Sequence, residues 1–345
     1  MTRETSSKIS NLSVLCALLV VLIHVGFPSD EIGFGWFCDR FLVEGFSRVA
    51  VPFFFVVSGF FLSRHFDEPG WHSRELRKRL SSLLVPYVVW LLLGTALVFP
   101  VMALADHMAH RPLGYTVGLS GGRWLGVFGL DLRHGPTWNG ALWYVRALLM
   151  FVLCAPAFKW LVTCFGRGWL VAVFALNLVN VSGRVFPDDI HGLLMLGFPL
   201  SGVFYFSLGI YIERFAVSVR SHRLLGISLV AGIGLLTLQA LVSVGRSPSQ
   251  VCQTLAIPFL LYALWHLTPQ APWPDWLTRC SFPIFLMHTP LIPYFFNPLK
   301  HTLLAGTAAA SWLTYACVVA SSVAFALMLK RLLPRLAAFL FAGRG

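Results

Sequence analysis

Residues 9–27 read ISNLSVLCALLVVLIHVGF, from Ile9 to Phe27. A run this long and this apolar is a membrane helix, since a crossing needs about 20 mostly apolar residues. One histidine, His24, stands near its far end. A titratable ring inside a bilayer is costly and faces the protein interior or a wet cavity. The expectation is a helix that carries a base, with the remaining chain folded around it.

The composition agrees. Of 345 residues, 57% are hydrophobic and only 12% are charged. A soluble domain carries about 25% charged residues. The mean hydropathy of +0.75 places the chain in a membrane. About ten apolar spans are expected, roughly 9–27, 41–63, 80–103, 141–158, 169–183, 192–212, 223–244, 251–267, 280–296 and 303–329. That is an all-α polytopic bundle forming one membrane domain over 1–345, with no separate soluble domain. Any chemistry must lie in or at the membrane.

The formal charge of +12 suits membrane orientation better than nucleic acid, because the basic residues sit in short connections. With the N-terminus inside, 17 of the 26 Lys and Arg fall on the inner side, which puts both termini in the cytoplasm. Arg3 and Lys8 precede the first apolar run, but no small-residue cleavage site follows it, so an uncleaved first span is expected. Seven cysteines without a CxxC pair suggest neither a disulfide framework nor a metal site.

Two connections stand out. The inner one, 64–79, ends in Arg74, Arg77, Lys78 and Arg79. Such a cluster either anchors the chain at the inner surface or docks an anionic, phosphate-bearing ligand. The outer one, from Asp106 to Gly140, carries several His, Arg and Trp residues and suits a cover or a carbohydrate contact. Pro52, Pro86, Pro199, Pro258, Pro283 and Pro290 fall inside spans, where each can kink its helix and open space in the bundle.

Depth brings three polar residues together. His24 lies about 22 Å into a core of roughly 30 Å, from the rise of 1.5 Å per residue. Arg48 and Arg146, on spans of opposite direction, lie about 10 Å and about 8 Å below the outer surface. His288 falls nearer the middle. A neutral imidazole can take a proton from a hydroxyl, and an arginine can hold a developing oxyanion. The plainer alternatives are a packed, hydrogen-bonded histidine, arginines that snorkel to the interface, and a helix–helix hydrogen bond for His288. There is no P-loop, no HExxH and no Gly-Xaa-Ser-Xaa-Gly elbow.

At these residues the chain resembles the acyltransferase family 3 of membrane O-acyltransferases. SNLSVLCALLVVLIHVG is similar to the family's first helix, which ends in the active-site histidine, here His24. FSRVAVPFFFVVSGFFL, Phe46 to Leu62, carries the closest resemblance. RKRLSSLLVPYVVW, ALWYVRALLMFVLCAP and SFPIFLMHTP follow in the family's order. Ser13 and Ser82 stand where many members carry arginines that serve the donor side.

The resemblance implies an acyl-CoA donor, most often acetyl-CoA, whose phosphates meet Arg74, Arg77, Lys78 and Arg79. It implies His24 as the base, with Arg48 and Arg146 at the oxyanion or the acceptor. Asn139, Trp143, Tyr144 and His288 are expected on the acceptor side. The acceptor is an envelope glycan or lipid-linked sugar, and the compartment the bacterial inner membrane. A transporter or flippase lined by His24, Arg48, Arg146 and His288, or a binding or sensor protein of the same fold, stays open as an alternative.

Overall fold

The computed structural model describes residues 2–29, 32–108, 126, 129–132, 139–182, 186–217, 221–242, 246–292, 296, 307–341 and 343. Among these there is no strand. The outer connection from 109 to 138 lies almost wholly outside the described residues, including His110, Arg111, Arg123, Trp124, Arg133, His134 and Trp138.

The principal helices are α1 (Arg3–Val25), α2 (Ala50–Ser63), α3 (Trp71–Arg79), α4 (Val85–Met108), α5 (Leu142–Leu153), α6 (Ala155–Phe165), α7 (Arg167–Ser182), α8 (Leu200–Arg214), α9 (His222–Leu241), α10 (Arg246–Leu267), α11 (Ser281–Leu291), α12 (Ala308–Leu332) and α13 (Pro334–Leu340). Among the described residues, seven helical stretches are long and apolar enough to cross a membrane, and the pair α5–α6, bent by 68°, makes an eighth if counted as one span. This is an all-α integral membrane protein. Helix α7 is apolar but has 16 residues, and α11 has 11, both short of the roughly 20 a straight crossing needs.

Three differences from the sequence reading have physical causes. The basic residues Arg74, Arg77, Lys78 and Arg79 are not on a loop but on α3, which runs through a π-helical turn, Leu80–Leu84, into α4. The expected span over 141–158 breaks after Leu153. Pro156 has no N–H to bond the carbonyl four residues back, and that carbonyl, Val152 O, accepts from His72 Nε2 at 3.1 Å instead. The other span prolines lie mostly at seams rather than mid-helix. Pro52 follows the 3₁₀ turn Phe46–Val49, Pro86 follows the π turn, and Pro199 caps α8. Pro258 and Pro290 remain inside α10 and α11.

Glycine sets the closest helix pair. Helices α2 and α8 run parallel, and a Cβ on Gly59 would collide with the Phe206 carbonyl oxygen, as one on Gly209 would with that of Val56. Small residues at such a seam let two backbones touch. Phe55, Phe151, Phe158 and Phe206 pack edge-on around it. Helix α1 runs through the middle of the bundle. In its N-terminal half Asn11, fully buried, donates to the carbonyls of Pro269 and Ala271 and accepts from Trp273 N at 3.0 Å. At its far end it lies beside α11, with α12 opposite through Phe27 and Trp312.

Candidate active site

His24 occupies the last turn of α1, just before Gly26 turns the chain with φ of 65°. Most of α1 is buried, but His24 is exposed, so its ring borders an opening rather than packed carbon. Its ring makes no hydrogen bond among the described residues. The ring of His288 stands 5.0 Å away, centroid to centroid, at 44°. Both α1 and α11 run the same way here, so the two histidines meet at one level.

His288 is fully buried and held on both nitrogens. Nδ1 lies 2.6 Å from the Phe285 carbonyl. A carbonyl only accepts, so the proton sits on Nδ1 and Nε2 is left as an acceptor, 3.1 Å from Thr289 Oγ1. The Thr289 hydroxyl therefore donates to it. Asn139, fully buried as well, donates from Nδ2 to the Leu286 carbonyl at 3.0 Å. This ties the start of α5 to the turn of α11 that carries His288.

Arg48 comes from the 3₁₀ turn Phe46–Val49. Its neighbours Ser47 and Val49 are fully buried, and Arg48 alone of the three is exposed. The turn packs on α1, the helix that carries His24. The structure thus sets His24 against His288, with the Arg48 turn packed on the same helix. Arg146 is placed differently. Its Nη1 donates to the carbonyls of Gly129 at 3.0 Å and Asp131 at 2.6 Å, and Tyr87 donates to the same Gly129 oxygen. That guanidinium holds the 129–131 backbone. Tyr144 links helices, with its ring against Phe54, Phe55 and Phe285 and its hydroxyl 3.4 Å from Ser58 Oγ. Trp143 is half-buried beside it.

The basic helix α3 is partly neutralised. Arg74 pairs with Glu68, and buried Glu75 lies 3.6 Å from both Lys78 Nζ and Arg79 Nε. His65 donates from Nδ1 to Glu68 at 2.8 Å, and this bond, with Arg74, holds the Glu68 carboxyl below the usual carboxylate range. Arg77 donates to the Ser73 carbonyl.

A cavity of about 1110 Å³ opens at the N-terminal end of α1, between α1, α2, α7, α8, α9 and α10. Its lining mixes polar residues, Lys8, Glu213 and His266 among them, with apolar ones such as Leu12, Phe53 and Pro258. No single motif marks it, because its lining comes from six separate helices. Thr289 and Ser58 were equally invisible, although an adjacent His-Thr pair in an apolar helix is a signal that can be read.

The geometry defines a membrane protein with a titratable cluster at one end of its central helix. The profile of the family described as "Acyltransferase domain" matches residues 9–331, and the chain belongs to that family, acyltransferase family 3. Among curated proteins it is similar to the succinoglycan biosynthesis protein ExoH of Rhizobium meliloti (strain 1021), at 23% identity over 251 residues. The match covers 71% of this chain and 63% of that protein, so the chain spans less than two thirds of its relative's length. No solved structure matches.

Proposed function

We propose that the protein is an O-acyltransferase of the bacterial inner membrane, with both termini in the cytoplasm. It moves an acyl group from acyl-CoA, most often acetyl-CoA, to a hydroxyl of an envelope glycan or lipid-linked sugar. The observation that carries this reading is His24, an accessible imidazole beside a His288 whose proton is fixed on Nδ1, with the Arg48 turn packed on the same helix. The ExoH relative's part in succinoglycan biosynthesis supports a glycan as acceptor.

In this reading His24 takes the proton of the acceptor hydroxyl as its oxygen attacks the thioester carbonyl. Arg48 holds the negative charge of the tetrahedral oxygen. The carbon–sulfur bond then breaks, the proton on His24 passes to the leaving thiolate, and an ester and free CoA result. His288 orients the His24 ring. Asn139 steadies the α11 turn, while Trp143 and Tyr144 face the acceptor. Arg146 serves by holding the 129–131 segment.

The donor's arm would rise through the cavity at the inner end of α1. From Glu4 to Cys16 the lined stretch is about 18 Å, and His24 lies about 12 Å further, at 1.5 Å per residue. Buried Leu19 and Val20 stand in that last stretch and must part for the arm to pass. The nucleotide's phosphates would be held outside, at Arg74, Arg77, Lys78 and Arg79, in competition with Glu68 and Glu75.

The test is purified protein in nanodiscs with radiolabelled acetyl-CoA and an envelope glycan extract, beside His24→Ala. Label in the glycan with the wild type only supports the reading. Full transfer by His24→Ala, at equal protein, sinks the assignment of the base.

A further inference from the structure

Helices α9 and α10 form an antiparallel hairpin with mostly exposed sides, as expected for a lipid-facing element. Two of its three buried or half-buried amides, Gln239 and Gln253, point the other way. Gln253 Nε2 donates to the backbone carbonyl of Glu44. Gln239, 1% exposed, bonds Ser249 across the hairpin at 3.3 Å. Its other end faces Gly45, where a Cβ would stand 3.0 Å from Gln239 Oε1 and collide with the Phe41 carbonyl oxygen. An amide inside an apolar span is expensive and needs a task.

The task lies one residue group further on. Residues 44–49 leave a π-helical turn and enter a 3₁₀ turn, so no regular helix fixes them. The hairpin supplies fixity from one side: Gln253 bonds the Glu44 carbonyl, Gln239 and Leu236 stand against Gly45, and α10 packs on the 46–49 turn. We infer that the α9–α10 hairpin clamps the 44–49 turn so that Arg48 faces His24, with Gln253 and Gln239 as positioning residues. This rests on the reading of Arg48 as the oxyanion holder. The cavity-lining residues of α10 begin at Pro258, more than a turn beyond Gln253. The clamp therefore governs turnover and not donor binding.

The experiment uses the full chain in detergent with Gln253→Met, which keeps length and loses the donor. Gln253→Glu, also without the donor at neutral pH, stands in if the first does not fold. Amide exchange is read over 44–49, and acetyl transfer to glycan extract gives kcat and the acetyl-CoA KM. Exchange over 44–49 should quicken while α2 keeps its protection. The kcat should fall by about ten- to hundredfold, the scale of a misplaced catalytic group, at unchanged donor KM. Unchanged exchange over 44–49 overturns the clamp, as does loss of protection spread evenly over α9, α10 and α2. A wild type that transfers nothing, with faster exchange in the variant, keeps the clamp and removes the transferase reading instead.

Discussion

Gly209→Ala is the sharpest probe of how this bundle is held together. Helices α2 and α8 touch backbone to backbone, and the new methyl would overlap the Val56 carbonyl oxygen and stand 2.8 Å from Phe60 N. Good non-bonded separations are about 3.5 Å, so the helices must part by on the order of 1 Å. Neither opposing atom is the end of a flexible side chain, so relief by rotamer change is closed. Overpacking costs about 1–3 kcal/mol, and rigid backbone on both sides argues for the upper end. At about 2 °C per kcal/mol for a large domain, melting should drop by about 5 °C. Gly226→Ala is the control: its Cβ meets nothing within 4 Å, and helix propensity favours alanine by up to about 1 kcal/mol. The assay is thermal unfolding of detergent-purified protein followed by size-exclusion fluorescence. If the two variants melt alike, the close seam is not what holds α2 to α8. Gly59→Ala combined with Gly209→Ala should cost less than the sum, since one methyl already opens the seam for the other.

Asn11→Leu removes three hydrogen bonds that tie the 269–273 loop to α1, and should destabilise by at least about 2 kcal/mol, seen as a lower melting temperature. His72→Phe strands the Val152 carbonyl at the α5–α6 break; a loss of about 1–3 kcal/mol is expected, and no loss would mean that water caps that carbonyl equally well. Val57→Trp fills part of the cavity, and should raise the acetyl-CoA KM at least tenfold, by roughly 1.4 kcal/mol of lost binding, with melting unchanged or higher. Acidification below the range in which Glu68 ionises should release Arg74 and His65. The Glu68 carboxyl is held low, so its contribution is present above its unfolded pKa and fades as pH falls through the folded one.

Hydropathy made the membrane legible, because twenty apolar residues in a row allow little else. Depth along two helices also put the Arg48 turn near α1, on which it packs. The pairing of His24 with His288 was not, since it depends on α1 and α11 lying side by side. Arg146 shows the limit of depth reasoning. It shares a level with His24 in the sequence, yet its guanidinium turns to the 129–131 carbonyls, which no periodicity reveals. The basic run at 74–79 was visible, but not that Glu75, inside the same helix, is buried against it. Gln239 and Gln253 stand in apolar spans, yet nothing in the sequence singled them out. The partner of Gln253, the Glu44 carbonyl about 200 residues away, belongs to tertiary structure alone.

The parallel pairing of α2 with α8, and of α1 with α11, also fixes an order of events during synthesis. Gly59 must wait for Gly209, about 150 residues later, which at 5–20 residues per second is on the order of 10 to 30 s. His24 waits longer still, for His288. Until then Gly59 and His24 lack the partners that cover them in the finished fold. The two imidazoles therefore cannot meet before residue 288 has been made, however early the first helix enters the membrane.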